Sequence, residues 1–229
     1  MQKQELNIGY FLAIQATYEG LDLAIGTNGH VTNTVSVNKF EASRMILIAL
    51  QQLLQTHGTH LEALRCIIVN QGPGPFTTLR TVLATVNGLA CATGIPLVGV
   101  DGIATLARQT PGLTVALLNA FNKDVYYAIA RDTINLETGC QPGTMLIRTL
   151  HAQYPQTPIT FVGNGVDLLH DDLRATFGSH ALIPLPIAHT PSIEQIAAQG
   201  LQQWRNHSNV AAQLMPLYLK QYSAEIKTF

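Results

Sequence analysis

The sequence predicts an α/β fold in which one plan of strands and helices is used twice. Three observations carry this. Short apolar runs rich in β-branched residues alternate with stretches whose apolar residues recur at helical spacing. A strong turn signal, Thr27-Asn28-Gly29, separates two early runs as a hairpin would. After Pro111-Gly112 the pattern begins again.

Taken in order, Gly9 to Ile14, Gly20 to Ile25 and His30 to Val37 read as three strands of a meander. From Ser43 to Gln55 the period changes: Ile46, Leu47, Leu50, Leu53 and Leu54 mark the core stripe of a helix that Gly58 stops. Arg65 to Asn70 is a strand and Thr78 to Thr93 a helix closed by Gly94. Ile95 to Val100 is a strand, ending at Asp101 as the N-cap of a helix over 103–108. In the second half, Thr114 to Ala120 and Val125 to Arg131 are strands joined by the hairpin Phe121-Asn-Lys-Asp124, and Thr144 to Arg148 is the expected third strand. A strand at 160–163, a helix at 166–176, a short strand at 181–183 and a helix at 192–204 complete the chain. Duplication of β-β-β-α-β-α describes the actin-like (ASKHA) architecture of two ribonuclease-H-type halves, with the second half shortened. The expected lobes are residues 1–110 and 111–229.

Composition narrows the function. Hydrophobic residues are 47% of the chain and charged residues 12%, well below the usual quarter, so some apolar surface is expected to face a partner. With 13 Lys+Arg against 14 Asp+Glu there is no basic field to collect nucleic acid, and any grip on RNA is expected from another subunit. Cys66, Cys91 and Cys140 are scattered; Cys66 and Cys91 sit in apolar patterns, as buried reduced thiols do. The polar start, Met1 to Asn7, lacks the apolar core of a signal peptide and no run reaches membrane-span length, so a cytoplasmic protein without a membrane segment is expected.

Gln71-Gly-Pro-Gly-Pro-Phe-Thr-Thr-Leu-Arg80 lies between a strand and a helix, the position of an anion site in principle. It has no lysine, and Pro73 and Pro75 each lack an N–H, so a stiff connection with Phe76 packed inward is the reading its composition favours. Actin-like ATPases instead grip phosphates with the turn between the first two strands of each half, where an acidic residue organises magnesium. Here those turns read Gln15-Ala-Thr-Tyr-Glu-Gly20 and Asn119-Ala-Phe-Asn-Lys-Asp124. Gln15 stands where aspartate is expected, and the second turn lacks glycine. Neither is expected to hold Mg-ATP. His57 and His60 do not have the spacing of a zinc pair on a helix, and no metal ligand is assigned. Ser43 and Ser192 read as helix-start residues.

Residues 70–100 carry a more specific signal. Asn70-Gln-Gly-Pro-Gly-Pro-Phe-Thr-Thr-Leu-Arg80, followed by Gly88-Leu-Ala-Cys-Ala-Thr-Gly-Ile-Pro-Leu-Val-Gly-Val100, resembles the core motif of the TsaB (YeaZ) family. Leu12-Ala-Ile14, Val125-Tyr-Tyr127, Val162-Gly-Asn-Gly165 and Pro216-Leu-Tyr-Leu-Lys220 extend the resemblance along the chain. Its GPGxFT loop comprises Gly72, Pro73, Gly74, Phe76 and Thr77, with Arg80 on the following helix. Six positions depart from the family pattern: Gln15, Ala42, Pro75, Thr78, Asn119 and Phe121, each less polar or less flexible than the family residue.

The resemblance implies a non-catalytic scaffold. TsaB-like proteins pair with TsaD, the metal-bearing paralogue that transfers the threonylcarbamoyl group to adenosine beside the tRNA anticodon, and a small ATPase, TsaE, joins them. It implies no cofactor on the lone chain, ATP at most at a complex interface, tRNA reached indirectly and a homodimer when alone. Two helices are expected to carry the contact. On helix 78–93, Ala84, Gly88 and Ala92 lie four apart on a side away from the core stripe, and a mid-helix glycine costs about 1 kcal/mol against alanine. On helix 43–55, Met45 and Ile48 extend the apolar surface beyond one face. Gly88 therefore meets either a partner helix or helix 43–55 of its own chain. Arg80 either orients the loop, meets a partner carboxylate or is an exposed charge. A second reading is a degenerate nucleotide-binding, sugar-kinase-like enzyme, and a third is a homodimeric interaction protein.

Overall fold

The computed structural model describes residues 9–132 and 135–220. The chain divides into two compact units. One takes the residues up to Thr105 together with Pro191–Leu217, the other Leu106–Thr190 and the chain from Tyr218 on.

The first unit opens with the meander β1 (Tyr10–Ala16), β2 (Gly20–Thr27) and β3 (His30–Asn38), paired antiparallel. Asn28 and Gly29, both at positive φ, make the tight turn that the Asn-Gly pair calls for. Helix α1 (Ala42–Thr56) leads to β4 (Leu64–Asn70), and α2 (Phe76–Thr93) leads to β5 (Leu97–Val100); both strands run parallel beside β1. A short α3 (Gly102–Ala107) follows, capped by the Asp101 carboxylate, which accepts from the Ala104 N–H at 3.0 Å.

In the second unit, β6 (Thr114–Asn119), β7 (Asp124–Ala130) and β8 (Leu136–Pro142) form another antiparallel meander. Helix α4 (Gly143–Gln153), β9 (Ile159–Val162), α5 (Gly165–Phe177) and β10 (Ala181–Leu182) complete it, with β9 and β10 parallel to β6. With β11 (Val210–Ala211) at one edge, the sheet orders are β11-β5-β4-β1-β2-β3 and β10-β9-β6-β7-β8. Each half thus has three meander strands followed by two parallel ones, the ribonuclease-H-type arrangement. The chain is an actin-like duplicated α/β protein with the smaller sheet in its second half.

Four expectations need correction. Thr144 to Arg148 is the start of α4, not a strand: Gly143, Leu146, Ile147 and Leu150 are buried at helical spacing. The third strand is instead Leu136–Pro142, a run (LETGCQP) with little β-propensity that is held by its register against β7. Gly139 lets the Tyr127 ring lie across this strand: a Cβ there would stand 2.6 Å from the Tyr127 hydroxyl, and the ring would have to shift. The lobe boundary also differs from a cut at 110/111. Helix α6 (Ile193–Arg205) and β11 (Val210–Ala211) belong to the first unit. The reason is burial: Ile193, Ile196, Ala197 and Leu201 of α6 close a core with Phe11, Ala13, Ala24, Ile68 and Val98. At Gly200 the approach is so close that a Cβ would collide with the Ile68 side chain. Ser192 does start α6, in a capping box with Gln195, whereas Ser43 lies inside α1 beyond the N-cap Glu41.

The other face of the first sheet is covered by α1 and α2, through Ile46, Leu50, Leu53, Leu79, Val82 and Val86. Leu47, expected in that stripe, is 54% exposed. Among the described residues no helix is long and apolar enough to cross a membrane.

Candidate functional site

Three features test the functional expectations: the turn after β1, the turn after β6, and the outer surface of α1 and α2 with the loop that precedes α2.

At the first turn Gln15 is 1% exposed. Its amide nitrogen donates to Asp22 Oδ2 at 3.1 Å and to the Pro191 carbonyl at 3.1 Å, and its oxygen accepts from Asn70 Nδ2 at 3.3 Å. Asn70 Oδ1 in turn accepts from the Gly72 N–H at 2.9 Å, and Ser36 donates to Asp22 Oδ1 at 2.7 Å. Burial obliges these amides to find partners, and they find them in one another. The turn itself is closed by Thr17, whose backbone and hydroxyl bond Gly20.

The second turn is neutralised differently. Asn119 Oδ1 accepts from the Phe121 N–H at 2.8 Å, and Phe121, Asn122 and Lys123 follow at φ of 59°, 54° and 66°. Asp124, the acidic group here, pairs with Lys220 at 2.8 Å, both about a fifth exposed. A hollow of about 460 Å³ lies beside the turn, between Phe121, Lys123, Thr144, Leu168 and Asp172. Magnesium and a nucleotide triphosphate need carboxylate and backbone donors aimed at the ligand. These turns present a buried amide and a paired carboxylate, and do not fit that group. Among the described residues no cluster of three His, Cys, Asp or Glu could hold a metal ion.

The GPGxFT loop is tied down from below. Gln71 donates from its backbone to Val100 O and from its side chain to Met215 O at 2.8 Å, while its carbonyl accepts from the Leu217 N–H. Gly72, at φ 102°, accepts from the Gly102 N–H. The loop is a hydrogen-bonded connection, but Phe76 is not packed inward: it is the first residue of α2 and 56% exposed. The Arg80 guanidinium lies 3.7 Å above its ring, one helical turn on. Gly74 and Pro75 are half-buried, Thr77 is exposed and Thr78 half-buried.

On α2 the side chains of Ala84, Cys91 and Ala92 are exposed, and so is Gly88, where a Cβ would have nothing within 4 Å. Packing against α1 therefore does not account for this glycine. Cys91, expected to be buried, lies on the open surface instead. Met45 is half-buried, Ile48 is 46% exposed, and Ala42 is buried at the start of α1. Cys66 matches its expectation: burial pushes its thiol from 9.0 up to about 12.

Sequence reasoning missed the residues that fasten these parts. Asn87, on α2, exchanges two hydrogen bonds of 2.9 Å with the backbone of Leu214. Asn70 links Gln15 to the loop, and Lys220 holds Asp124. Asparagine and glutamine were visible, but their partners lie up to 176 residues away in the chain, beyond any local pattern.

Comparison with known proteins places this geometry. A family model described as TsaD, tRNA N6-adenosine threonylcarbamoyltransferase, matches residues 39–228. The chain is 30% identical over 122 residues to the tRNA threonylcarbamoyladenosine biosynthesis protein TsaB of Escherichia coli, an alignment covering 51% of this chain and 53% of that protein. With TsaB of Bacillus subtilis it shares 26% over 185 residues, 78% of this chain and 80% of the relative. The chain thus spans about half the length of the first of these relatives. The solved structure of YeaZ from Pseudomonas aeruginosa superposes with a TM-score of 0.72 at 21% identity, covering 92% of this chain and all of the other, and so shares its fold. Matched by that model over most of its length, and by TsaB and YeaZ proteins in sequence and fold, the chain belongs to the TsaD family, in its TsaB/YeaZ branch.

Proposed function

We propose that this chain takes part in forming N6-threonylcarbamoyladenosine in tRNA as a non-catalytic subunit, pairing with a TsaD-like catalytic subunit through the outer surface of α1 and α2. One observation carries the reading: Gly88 faces open space in the middle of a helix flanked by exposed Ala84 and Ala92. A glycine there costs helix stability, and close approach by a partner helix gives it a use. Met45 and Ile48 of α1 supply apolar contact beside it, and Arg80, stacked on Phe76, presents a cation at the start of α2. The turns support the non-catalytic part, since Gln15 and Asp124 are already committed to internal partners. On this reading the chain binds no nucleotide by itself and works in the cytoplasm. It pairs with itself when alone, meets tRNA through its partner, and shares the complex with a TsaE-like ATPase, any ATP lying at an interface.

The competing reading, a nucleotide-binding enzyme, draws on the hollow beside Phe121. Calorimetric titration separates the two. The purified chain is expected to give no heat with Mg-ATP and a clear heat with a TsaD-like subunit. Binding of Mg-ATP by the lone chain would reinstate the enzyme. A Gly88→Leu chain should keep its thermal stability and lose the subunit, at least ten-fold in affinity as expected for a blocked interface centre; undiminished binding would remove α2 from the interface.

A further inference from the structure

The hollow beside the second turn has a wall that is unusual for an open surface. Phe121 stands at φ 59° and is 60% exposed. A left-handed backbone suits Asn, Asp or Gly and is strained for a bulky residue, and an exposed ring gains little of the free energy of burial. An apolar occupant of the hollow gives both costs a use. Leu168, 55% exposed, lines the same space, as do Val125 and Leu169, while Lys123 and Asp172 bring one charge of each sign. All six residues belong to the second unit. The volume, about 460 Å³, is that of a ligand site.

The chain returns to this place at Lys220. Its ammonium group donates to Asp124 Oδ2 at 2.8 Å and to the Ala120 carbonyl at 3.4 Å, both in the turn that borders the hollow. The residues that follow, Gln221-Tyr-Ser-Ala-Glu-Ile-Lys-Thr-Phe229, lie outside the described residues and enter through their sequence alone. Tyr222, Ile226 and Phe229 recur at the spacing of one helical face, and Glu225 and Lys227 supply one charge of each sign.

We infer that segment 221–229 of this chain docks in the hollow, laying its apolar side chains on Phe121 and Leu168. Two observations choose this occupant over a free ligand or a partner. The first is the tether: the segment sets out from a residue pinned to the hollow's own turn, and as a helix its nine residues span about 13 Å, so it stays beside that turn. A segment held so closely has an effective concentration on the order of millimolar, which lets a contact too weak for a free peptide fill the site. The second is composition: Tyr222, Ile226 and Phe229 answer the apolar lining, and Glu225 and Lys227 answer Lys123 and Asp172. The inference concerns the second unit alone, and it stands whether or not the outer surface of α1 and α2 binds a TsaD-like subunit.

Amide exchange of the full chain, read by mass spectrometry, tests the docking. Residues 221–229 are expected to exchange about ten-fold or more slowly than the same sequence as a free peptide. Phe121→Asn introduces a residue suited to positive φ, and Leu168→Gln keeps a good helix former on α5. Each should return the segment toward the free-peptide rate while strands 114–119 and 159–162 stay protected. Ile226→Gln should do the same from the segment's side. Circular dichroism melting identifies any variant that has lost its fold; the remaining variants then decide, and the comparison of the parent chain with the peptide stands in every case. A segment that exchanges as the free peptide does, or slowed exchange that the folded variants leave unchanged, would overturn the inference. Protection that grows with chain concentration would overturn it too, by assigning the hollow to the segment of a second copy.

Discussion

The two turns that follow β1 and β6 hold equivalent places in two copies of one plan, yet their polar groups are tied to internal partners by different chemistry. In the first, a neutral amide, Gln15, is buried and shared among Asp22, Asn70 and the Pro191 carbonyl. In the second, the acidic residue survives as Asp124 and is cancelled by Lys220 in a partly exposed ion pair. A buried network is costly to disturb because every member depends on the others, while an ion pair near solvent contributes little. The first turn has become part of the core of its unit, whereas the second keeps its charge and could be uncovered by one substitution.

That contrast can be broken by exchange of charge. Gln15→Glu replaces the donating nitrogen by an oxygen facing two acceptors, Asp22 and Pro191 O. It should cost about 3 kcal/mol near neutral pH, as uncompensated buried charge does, and recover in acid, where the new carboxyl regains a proton to donate. Urea unfolding at two pH values reads both. A loss under 1 kcal/mol would mean that the network around Gln15 is soft.

The same unit offers a second test through Cys66. Its folded-state pKa is raised to about 12 from the ordinary 9.0, so the thiol favours folding fully below pH 9 and this contribution is lost as pH rises from 9 toward 12. The loss should be about 1 kcal/mol per pH unit in that window, and Cys66→Ala should flatten the slope while lowering stability below pH 9, the difference from the parent shrinking above it. An unchanged slope would place its origin elsewhere. Smallest is the effect expected in the second unit. Lys220→Ala should cost about 0.5–1 kcal/mol, a difference that shrinks with added salt. A loss as large as that at Gln15 would erase the distinction between the turns.

Much of the fold was legible because its signals are local. Asn28-Gly29 declares a hairpin, Asp101 and Ser192 declare helix starts, and the spacing in 43–55 and 78–93 declares helices. Strand β8 was hidden because Leu136–Pro142 has no strand chemistry of its own and takes its form from β7. Helix α6 was found, but not its destination, which is set by the fit of Gly200 against Ile68. At the candidate site the sequence singled out Gln15, Gly88 and the 71–77 loop. It could not show that Gly88 is open, that Phe76 stacks with Arg80 or that Asn87 clasps Leu214. Those facts depend on distances between segments far apart in the chain.

The placement of α6 also bears on how the protein is made. The second unit is nearly continuous in the chain, so its strands and helices emerge from the ribosome together. The first unit is begun early but lacks the helix that covers Phe11, Ala13, Ile68 and Val98 until the whole of Leu106–Thr190 has been synthesised. During that interval one face of its central sheet is bare. The order of translation thus lets the strands and helices of Leu106–Thr190 assemble before that face is covered.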